Sequence, residues 1–302
     1  MRPDPTASQA GVARWPARRP GEYGRTVRVC VTGASGKAGR VVAADLLARG
    51  YEVVATDLVA PPGLGFDVVA ADLTDYGQAI DVLGGVDAVV HLANIPGPDR
   101  APPAVTFNVN TTMNFNVFHA AAQLRLQRVV WASSETTLGL PFDVPPRYAP
   151  VDEAHYPFPT TTYSLSKVVS ESIAEHVAAW SGIPFVALRF SNILGPDDYE
   201  RFPSYWDDPH LRKWNLWSYV DVRDVAGACR AALEAPVEGA VSLVVAAVDS
   251  VMTRPSSDLL AEVFPGVPLT GDVGELGSLL SSARAREVIG WEPRHSWRDE
   301  RA

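Results

Sequence analysis

The stretch VRVCVTGASGKAG, which runs from Val27 to Gly39, decides the fold of this 302-residue chain. Its valine-rich start is typical of a strand buried on both faces of a parallel sheet. Three glycines with the spacing GxxGxxG follow, and a helical pattern then continues to Arg49. A strand, a glycine-rich turn and a helix in this order let backbone N–H groups approach a pyrophosphate. The predicted contacting residues are Gly33, Ser35, Gly36, Lys37, Ala38 and Gly39.

A carboxylate ends the next predicted strand. The apolar run from Glu52 to Thr56 is followed directly by Asp57. A carboxylate at this strand end can accept hydrogen bonds from an adenosine ribose and repels a 2′-phosphate, so NAD is favoured over NADP. A capping role for Asp57 is the alternative, and Lys37 and Arg40 leave NADP open.

Strand and helix patterns alternate along the next hundred residues. This alternation predicts an α/β fold, a Rossmann-like doubly wound parallel sheet with right-handed crossovers. The predicted strands are Phe66–Ala71, Asp87–Leu92 and Arg128–Ala132, and the predicted helices are Asp75–Leu83 and Pro103–Leu124. Ligands of such sheets gather at the carboxyl ends of the strands. The candidate cofactor residues at those ends are Asp72, Leu73, Leu92, Ala93 and Asn94.

A tyrosine and a lysine share one face of a later predicted helix. Tyr163 and Lys167 are four residues apart beside the helical run from Ser164 to Ala179, which places them one turn apart. A neighbouring cation favours the phenolate, so the pair can act as a general base near neutral pH. Ser134, at the end of the fifth predicted strand, can face Tyr163 and bind a substrate oxygen. The alternatives are an exposed lysine beside a half-buried tyrosine and a serine that only caps its strand.

Composition excludes several other classes of partner. The net charge of −9 and the pI of about 5.2 disfavour nucleic acid and anionic membranes, which the chain would repel. The two cysteines, Cys30 and Cys229, have no CxxC spacing and fit inert buried thiols in a reducing compartment. No histidine pair has metal-ligand spacing, so no metal is expected. Residues 1–25 are expected to form a disordered tail without an export signal, and the protein is expected in the cytoplasm.

Together these segments resemble the extended short-chain dehydrogenase/reductases, the NAD-dependent epimerase/dehydratase family, from about Val27 to Pro293. The resemblance implies a single domain over residues 26–302. Its NAD-binding core would span about 27–190 and 218–248, and a small C-terminal substrate-binding subdomain would form from about 191–217 and 249–302. The matching landmarks are TGASGKAG at Thr32, HLAN at His91, NVNTTMN at Asn108, ASSETTLG at Ala132, YSLSK at Tyr163, LRFSNILGP at Leu188, YVDVRDVA at Tyr219 and AREVIGWEP at Ala285.

The resemblance also assigns roles to individual residues. Ser134, Tyr163 and Lys167 are implied to be catalytic, with Asn110 in support, and Tyr163 and Lys167 to contact NAD as well. The helices Pro103–Leu124 and Thr162–Trp180 are implied to pair across a two-fold axis, giving a homodimer. Helices at Val222–Ala235, Ser257–Phe264 and Ser278–Ile289 and a strand at Ala240–Ala247 complete the prediction.

The segment from Arg189 to Trp206 is similar to uronate dehydrogenases, in which an arginine binds the sugar carboxylate. That arginine would be Arg201, and an ion pair with Asp197, Asp198 or Glu200 is the alternative. Where those enzymes have Asn-His after the catalytic serine, this chain has Glu135-Thr136. The implied substrate residues are Ser134, Glu135, Asn192 and Arg201.

The segment between Pro196 and Tyr219 is too short for the nucleotide lobe of a nucleotide-sugar epimerase. Its aromatic residues can form either a lid over a sugar or a small core. They are Tyr199, Phe202, Tyr205, Trp206, Trp214 and Trp217.

The predicted function is an NAD-dependent oxidoreductase that acts on a hydroxyl or carbonyl of a small sugar or sugar acid. A sugar epimerase that oxidises its substrate transiently uses the same residues. A non-catalytic NAD-binding sensor is a third reading, although such a protein has no need of the Ser134, Tyr163 and Lys167 set.

Overall fold

A seven-stranded parallel sheet forms the centre of the protein in a computed structural model, which describes residues 26–300. Its spatial order is β3-β2-β1-β4-β5-β6-β9. The strands from β1 to β3 are added towards one edge of the sheet, and those from β4 onwards are added towards the other. This is the doubly wound α/β topology predicted from the sequence. The strands are β1 Arg28–Thr32, β2 Glu52–Asp57, β3 Val68–Ala70, β4 Ala88–His91, β5 Arg128–Ser134, β6 Phe185–Phe190 and β9 Ala240–Val245.

Helices cover both faces of this sheet. They are α1 Lys37–Ala48, α2 Tyr76–Leu83, α3 Pro103–Leu124, α4 Thr162–Ser181, α5 Val222–Glu234 and α7 Ala283–Ile289. A further helix, α6 Ser256–Val263, packs in a separate apolar core. A short pair, β7 Ile193–Leu194 and β8 Val220–Asp221, lies outside the main sheet. Within residues 26–300, no helix combines the length and the apolar character that a bilayer crossing needs.

Burial on both faces explains the valine-rich pattern of the first strand. Val29 and Val31 pack into the apolar core on the α1 and α5 side of the sheet. Cys30, between them, packs into the core on the α2, α3 and α4 side. Successive side chains of a strand point to opposite faces, so every position of a doubly covered strand is apolar.

A third apolar core lies beneath the carboxyl ends of the later strands. Phe202, Trp217 and Trp297 belong to it, together with Leu138 from the segment after β5 and Leu260 from α6. Four of these five side chains come from the two substrate-side segments of the sequence prediction. The domain division itself stays a prediction.

Two predicted elements are clearly longer than the observed ones. The helix expected at Ser278–Ile289 begins only at Ala283, because the preceding residues pair with another segment. Leu279 accepts a hydrogen bond from the backbone of Val151, and Ser281 donates one to Val151. The predicted strand at Phe66–Ala71 is also longer than the observed β3. The predicted tail at residues 1–25 lies outside the described residues.

Candidate active site

The glycine-rich turn after β1 brings two stretches of backbone into close contact. Gly33 has a φ of +67°, and a Cβ there would lie 2.6 Å from the backbone nitrogen of Ala93. A Cβ on Gly39 would lie 2.0 Å from the carbonyl oxygen of Gly33. Only glycine fits at both positions, so the turn and the start of α1 form a cradle of bare backbone. Such a cradle suits a phosphate group at a helix N-terminus.

Asp57 lies directly against this turn. Its Oδ2 accepts a hydrogen bond of 2.9 Å from the backbone N–H of Ser35, and its Oδ1 accepts one of 2.7 Å from Leu58. The Ser35 hydroxyl in turn donates to the carbonyl of Val59. The carboxylate therefore stabilises the turn, in addition to the predicted contact with a ribose.

An ion pair joins the glycine-rich turn to the substrate-side segment. Lys37 Nζ, at the first position of α1, donates to Asp198 Oδ2 at 2.7 Å. Asp198 lies in the 3-10 helix Pro196–Tyr205, and its Oδ2 also accepts from the backbone of Gly195. Partial burial raises the pKa of Asp198, but the bonds from Lys37 and Gly195 outweigh this and lower it.

A cavity of about 970 Å³ runs along the carboxyl ends of the strands, from the glycine-rich turn to the substrate-side segment. It is lined by most of the residues predicted to bind cofactor or substrate; Ser35, Asn110 and Lys167 are not among its lining residues. Those that do line it are Gly33, Gly36, Lys37, Ala38, Gly39, Asp57, Asp72, Leu73, Leu92, Ala93, Asn94, Ser134, Glu135, Tyr163, Asn192 and Arg201. The structure thus brings the predicted site together, whereas the role of each residue stays a prediction.

The start of α4 places Tyr163 at this cavity. Thr161 caps the helix by accepting a hydrogen bond of 3.1 Å from the backbone N–H of Ser164, and Ser164 Oγ accepts one of 3.0 Å from the backbone of Thr161. This reciprocal capping fixes the first helical turn. Tyr163 therefore lies in a rigid turn, and only 8% of its surface is exposed.

Ser134 lies beside Tyr163 at the cavity and lowers the pKa of Tyr163. Ser134 Oγ accepts two bonds from Thr136, one of 3.2 Å from the backbone N–H and one of 2.9 Å from the hydroxyl. A hydroxyl has one proton to donate, and two acceptor sites that Thr136 fills. The Ser134 proton is thereby left for the Tyr163 oxygen or for a substrate oxygen. Thr136 positions Ser134, a role that the sequence prediction missed.

The sequence predicts a lowered pKa for Tyr163, but in the structure this pKa is raised. Burial raises the pKa of Tyr163 to about 12; Ser134 lowers it, and the charge of Glu135 raises it further. Lys167 Nζ lies 5.7 Å from the centre of the Tyr163 ring and donates to the carbonyl of Ala132 at 2.8 Å. Burial also lowers the pKa of Lys167 to about 7, against the raising effect of Glu171. Desolvation outweighs the cation here.

A buried hydrogen-bond chain ties the strands to α3 and α4 behind this pair. Burial lowers the pKa of His91 to about 3, so its ring is neutral. Its Nε2 then donates to Asn114 Oδ1 at 2.9 Å, and its Nδ1 accepts from Thr32 at 2.6 Å. Asn114 donates onward to Ser170 of α4 at 2.7 Å. This hydrogen-bond network connects four elements, β1, β4, α3 and α4, and fixes their relative positions.

Asn110 holds the loop after β4. Its amide accepts from the backbone N–H of Ile95 at 2.8 Å and donates to the Ile95 carbonyl at 3.1 Å. That loop carries Asn94, which lines the cavity. Asn110 therefore fixes a loop at the cavity wall, and its predicted support of the catalytic residues stays a prediction.

The floor of the cavity holds a buried carboxyl group. Glu135 is 3% exposed, and burial raises its pKa to about 8 despite several donors around it. Ser191 donates to its Oε2 at 2.6 Å, and Asn215 donates to its Oε1 at 3.4 Å. The charge of Arg212 also acts on it.

Arg212 is a cavity residue that the sequence analysis missed. It is 7% exposed and donates to Asn192 Oδ1 at 3.2 Å and to the carbonyl of Ser218 at 3.1 Å. Arg201, the arginine expected from the sequence, also lines the cavity but is exposed at its rim. Neither Arg212 nor Asn215 belongs to any sequence pattern that would have indicated it.

The aromatic residues of the substrate-side segment divide between the two predicted roles. Tyr199, Phe202 and Trp217 are buried in the third apolar core. Tyr205 and Trp214 pack against that core and also line the cavity, as Phe202 does. The segment therefore supplies both a small core and an aromatic wall.

Comparison with known proteins identifies the family. Residues 29–246 match the model of the NAD dependent epimerase/dehydratase family. The chain belongs to this family. The solved structure of a short-chain dehydrogenase/reductase superfamily protein from Agrobacterium tumefaciens with bound NAD superposes with a TM-score of 0.70 at 24% identity. It covers 90% of this chain and 94% of that one, and the predicted fold class is confirmed.

Three relatives represent different activities within this family. An L-arabinose 1-dehydrogenase (NAD(P)(+)) of Haloferax volcanii is 31% identical over 180 residues, which cover 57% of this chain and 69% of that protein. A uronate dehydrogenase of Pseudomonas putida is 29% identical over 171 residues, covering 55% and 60%. A UDP-glucose 4-epimerase of Lacticaseibacillus casei is 26% identical over 310 residues, covering 88% and 92%.

The residues present fit the cofactor of the family. The bare backbone of the glycine-rich turn fits a pyrophosphate, and the carboxylate of Asp57 lies beside it at the end of β2. Asn94 lines the same cavity, and its buried Oδ1 has no hydrogen-bond partner among residues 26–300. Within those residues, no group of three or more His, Cys, Asp and Glu side chains could hold a metal ion.

Proposed function

We propose that this protein is an NAD-dependent oxidoreductase that acts on a hydroxyl or carbonyl group of a small sugar or sugar acid. One observation carries the proposal. The Ser134 and Tyr163 side chains both line one cavity that continues to the glycine-rich turn, and Ser134 lies close enough to Tyr163 to lower its pKa. Lys167 follows Tyr163 by one helical turn and is buried, with 2% of its surface exposed.

The chemistry follows from the protonation states of these groups. For oxidation, the phenolate form of Tyr163 accepts the proton of the substrate hydroxyl, while Ser134 donates a hydrogen bond to the same substrate oxygen. NAD, when bound, would supply the hydride acceptor for the carbinol carbon. For reduction the roles reverse, and Tyr163 donates its proton to the new alkoxide. Since its pKa is raised to about 12, the phenol is ready to act as an acid at neutral pH.

A sugar epimerase is the second candidate, because it would use the same three residues in a transient oxidation. The UDP-glucose 4-epimerase relative covers most of both chains and supports it. The short segment between Pro196 and Tyr219 favours a substrate without a nucleotide.

A spectroscopic assay separates the two functions. The protein would be incubated with NAD and, in turn, aldoses, uronates and polyols, and NADH would be followed by its absorbance. A dehydrogenase accumulates NADH with one class of sugar. An epimerase accumulates none but converts one sugar to its epimer, which chromatography detects. The proposed function would be contradicted if no sugar gave either NADH or an epimer.

Asp57→Ala is expected to raise the ratio of NADP to NAD activity by about tenfold or more, because the charge that repels a 2′-phosphate is removed. The ratio of kcat/KM for the two cofactors measures this effect. Asp57→Asn is the matched control, since it removes the charge but keeps an acceptor for the Ser35 N–H. The two variants should share the change in cofactor preference, and only Asp57→Ala should lower the thermal stability. An unchanged ratio in both would leave Asp57 as a structural residue of the turn.

We further propose a homodimer that pairs α3 and α4 across a two-fold axis. Exposed apolar side chains on these helices support it: Val105 and Phe115 on α3 are 45% and 43% exposed, and Leu165 on α4 is 41% exposed. An isologous contact would cover this surface in both copies.

Phe115→Glu is expected to convert the dimer to a monomer, because it places a charge in the centre of that surface. Light scattering would measure the mass against that of one chain, 32.5 kDa. Val248→Glu is the control, since Val248 is 64% exposed and lies after β9, away from both helices. A wild-type mass equal to one chain would contradict the dimer.

The cytoplasm is the proposed location. The two cysteines of the sequence, Cys30 and Cys229, are free and buried, which fits a reducing compartment.

A further inference from the structure

A carboxyl group and a guanidinium lie at the cavity floor without forming an ion pair. Glu135 and Arg212 both line the cavity and are 3% and 7% exposed. Each shifts the pKa of the other through its charge, but among residues 26–300 no ion pair joins them. Burying a charged group is costly unless hydrogen bonds compensate it. Arg212 Nε has no hydrogen-bond partner among the described residues, and Glu135 does not supply one.

The surroundings of Glu135 make it an acceptor. The Ser191 hydroxyl and the Asn215 amide donate to its two oxygens. These donors favour the ionised carboxylate, whereas burial favours the acid. A further donor from a ligand would tip this balance towards the carboxylate.

Arg212 is a donor held in a fixed orientation. Its guanidinium lies 5.3 Å from the ring centre of Tyr205 and 4.9 Å from that of Trp214. Asn192 and Ser218 accept from its two terminal nitrogens, and its buried Nε has no hydrogen-bond partner among the described residues. A guanidinium only donates, so its unmet need is for an acceptor.

We propose that Glu135 and Arg212 together bind a vicinal diol of a neutral sugar. One sugar hydroxyl would donate to the carboxylate of Glu135, and the adjacent hydroxyl would accept from Arg212. Once Glu135 is ionised, hydroxyl groups can meet both needs, whereas a sugar carboxylate would accept from Arg212 but has no proton to donate to Glu135 and meets its like charge. This inference rests on the proposed function, since the diol would neighbour the carbon that faces Ser134 and Tyr163.

The exposed Arg201 is the rival site for a substrate group. Its charge acts on Asp198, which also pairs with Lys37, so it is already partly balanced at the cavity rim. Charges exposed to water are also weaker determinants of affinity than buried ones. The geometry therefore points to an uncharged aldose rather than to a uronate held by Arg201.

Binding rather than turnover tests this inference. Calorimetry would measure the affinity of the NADH-loaded protein for D-galactose, D-glucose, L-arabinose and D-galacturonate. At least one neutral aldose is expected to bind more tightly than D-galacturonate. Glu135→Gln and Arg212→Lys should each lower the affinity for that aldose by about tenfold or more, while the affinity for NADH stays unchanged. Lys213→Gln, next to Arg212 but outside the cavity lining, is the matched control.

Deoxy sugars extend the test to the wild-type protein, in case a variant fails to fold. Removing either of two adjacent hydroxyls should weaken binding by about tenfold, and removing the others should not.

The aldose should also bind more tightly at pH 9 than at pH 7, because Glu135 ionises in this range. The groups that face Glu135 are Arg212, whose charge lowers its pKa, and Tyr163. Glu135→Gln should abolish that pH dependence.

The outcomes separate the inference from the proposed function. Tighter binding of D-galacturonate, or a larger loss with Arg201→Gln than with Glu135→Gln, would overturn the diol site while leaving the oxidoreductase intact. Sugar binding that depends on Glu135 without turnover of any sugar would overturn the proposed reaction alone. The absence of binding by every neutral aldose would overturn the diol site.

Discussion

Tyr163→Phe is expected to lower kcat by a factor of about a hundred or more while the affinity for NAD stays nearly unchanged. The change removes the only atom of this side chain that can exchange a proton with a substrate. The ring remains, so the cavity keeps its shape. Steady-state kinetics and a separate titration with NAD measure the two quantities. In the wild type, oxidation should accelerate from pH 7 to pH 9, because the phenolate fraction rises tenfold per pH unit below a pKa of about 12.

Tyr156→Phe provides the control for this experiment. Tyr156 is 43% exposed and is not among the residues that line the cavity. Its loss should leave kcat and the pH profile as they are. If Tyr163→Phe retained full activity, Tyr163 would have no part in the mechanism, and the buried carboxyl of Glu135 would be the next candidate for the base.

Gly39→Ala is expected to weaken NAD binding by tenfold or more and to lower the melting temperature. The added Cβ would lie 2.0 Å from the Gly33 carbonyl oxygen and 2.7 Å from the Ala34 Cα, both of which are backbone atoms. Overpacking of this kind costs about 1–3 kcal/mol, and more where the backbone itself must move. The displaced backbone is the turn that would contact the pyrophosphate. Calorimetric titration with NAD and a thermal melt test the two effects.

The same substitution at Gly227 should act in the opposite direction on stability. Gly227 lies within α5, and a Cβ there would be 3.6 Å from the nearest atom, Trp291 Nε1, which is an ordinary contact. An alanine inside a helix is favoured over glycine by about 0.5–1 kcal/mol. If both alanines lowered stability equally, the close approach at Gly39 would not be the cause of its effect.

The sheet and the cofactor side of the cavity could be predicted because their signals are local. A strand covered on both faces is apolar at every position, as from Val29 to Val31, and the glycine spacing is dictated by contacts within a few residues. Tyr163 and Lys167 share a helix, so their distance follows from helical geometry alone. The sequence therefore predicted most of the residues that line this side of the cavity.

The substrate side could not be predicted because its geometry depends on distant contacts. Arg212 lies between two short 3-10 turns, Pro209–Leu211 and Lys213–Asn215, and Asn215 ends the second of them. These turns have no periodicity, and the buried Trp217 holds the segment through its bond to the carbonyl of Pro209. The Tyr163 pKa depends on burial, which is a property of the whole fold. The extended backbone before Ala283 likewise reflects pairing with Val151, far away in the sequence.

The ion pair between Lys37 and Asp198 joins two walls of the cavity by a contact that salt weakens. The Lys37 side chain is 50% exposed and that of Asp198 is 19% exposed, so the pair is worth about 1 kcal/mol or less. An incoming pyrophosphate would compete with Asp198 for Lys37 and repel the carboxylate. Thermal motion can therefore part the two walls at this point, more often as ionic strength rises and the charges are screened. The two walls should therefore stay together most often in dilute buffer and separate more often in concentrated salt or as the cofactor enters.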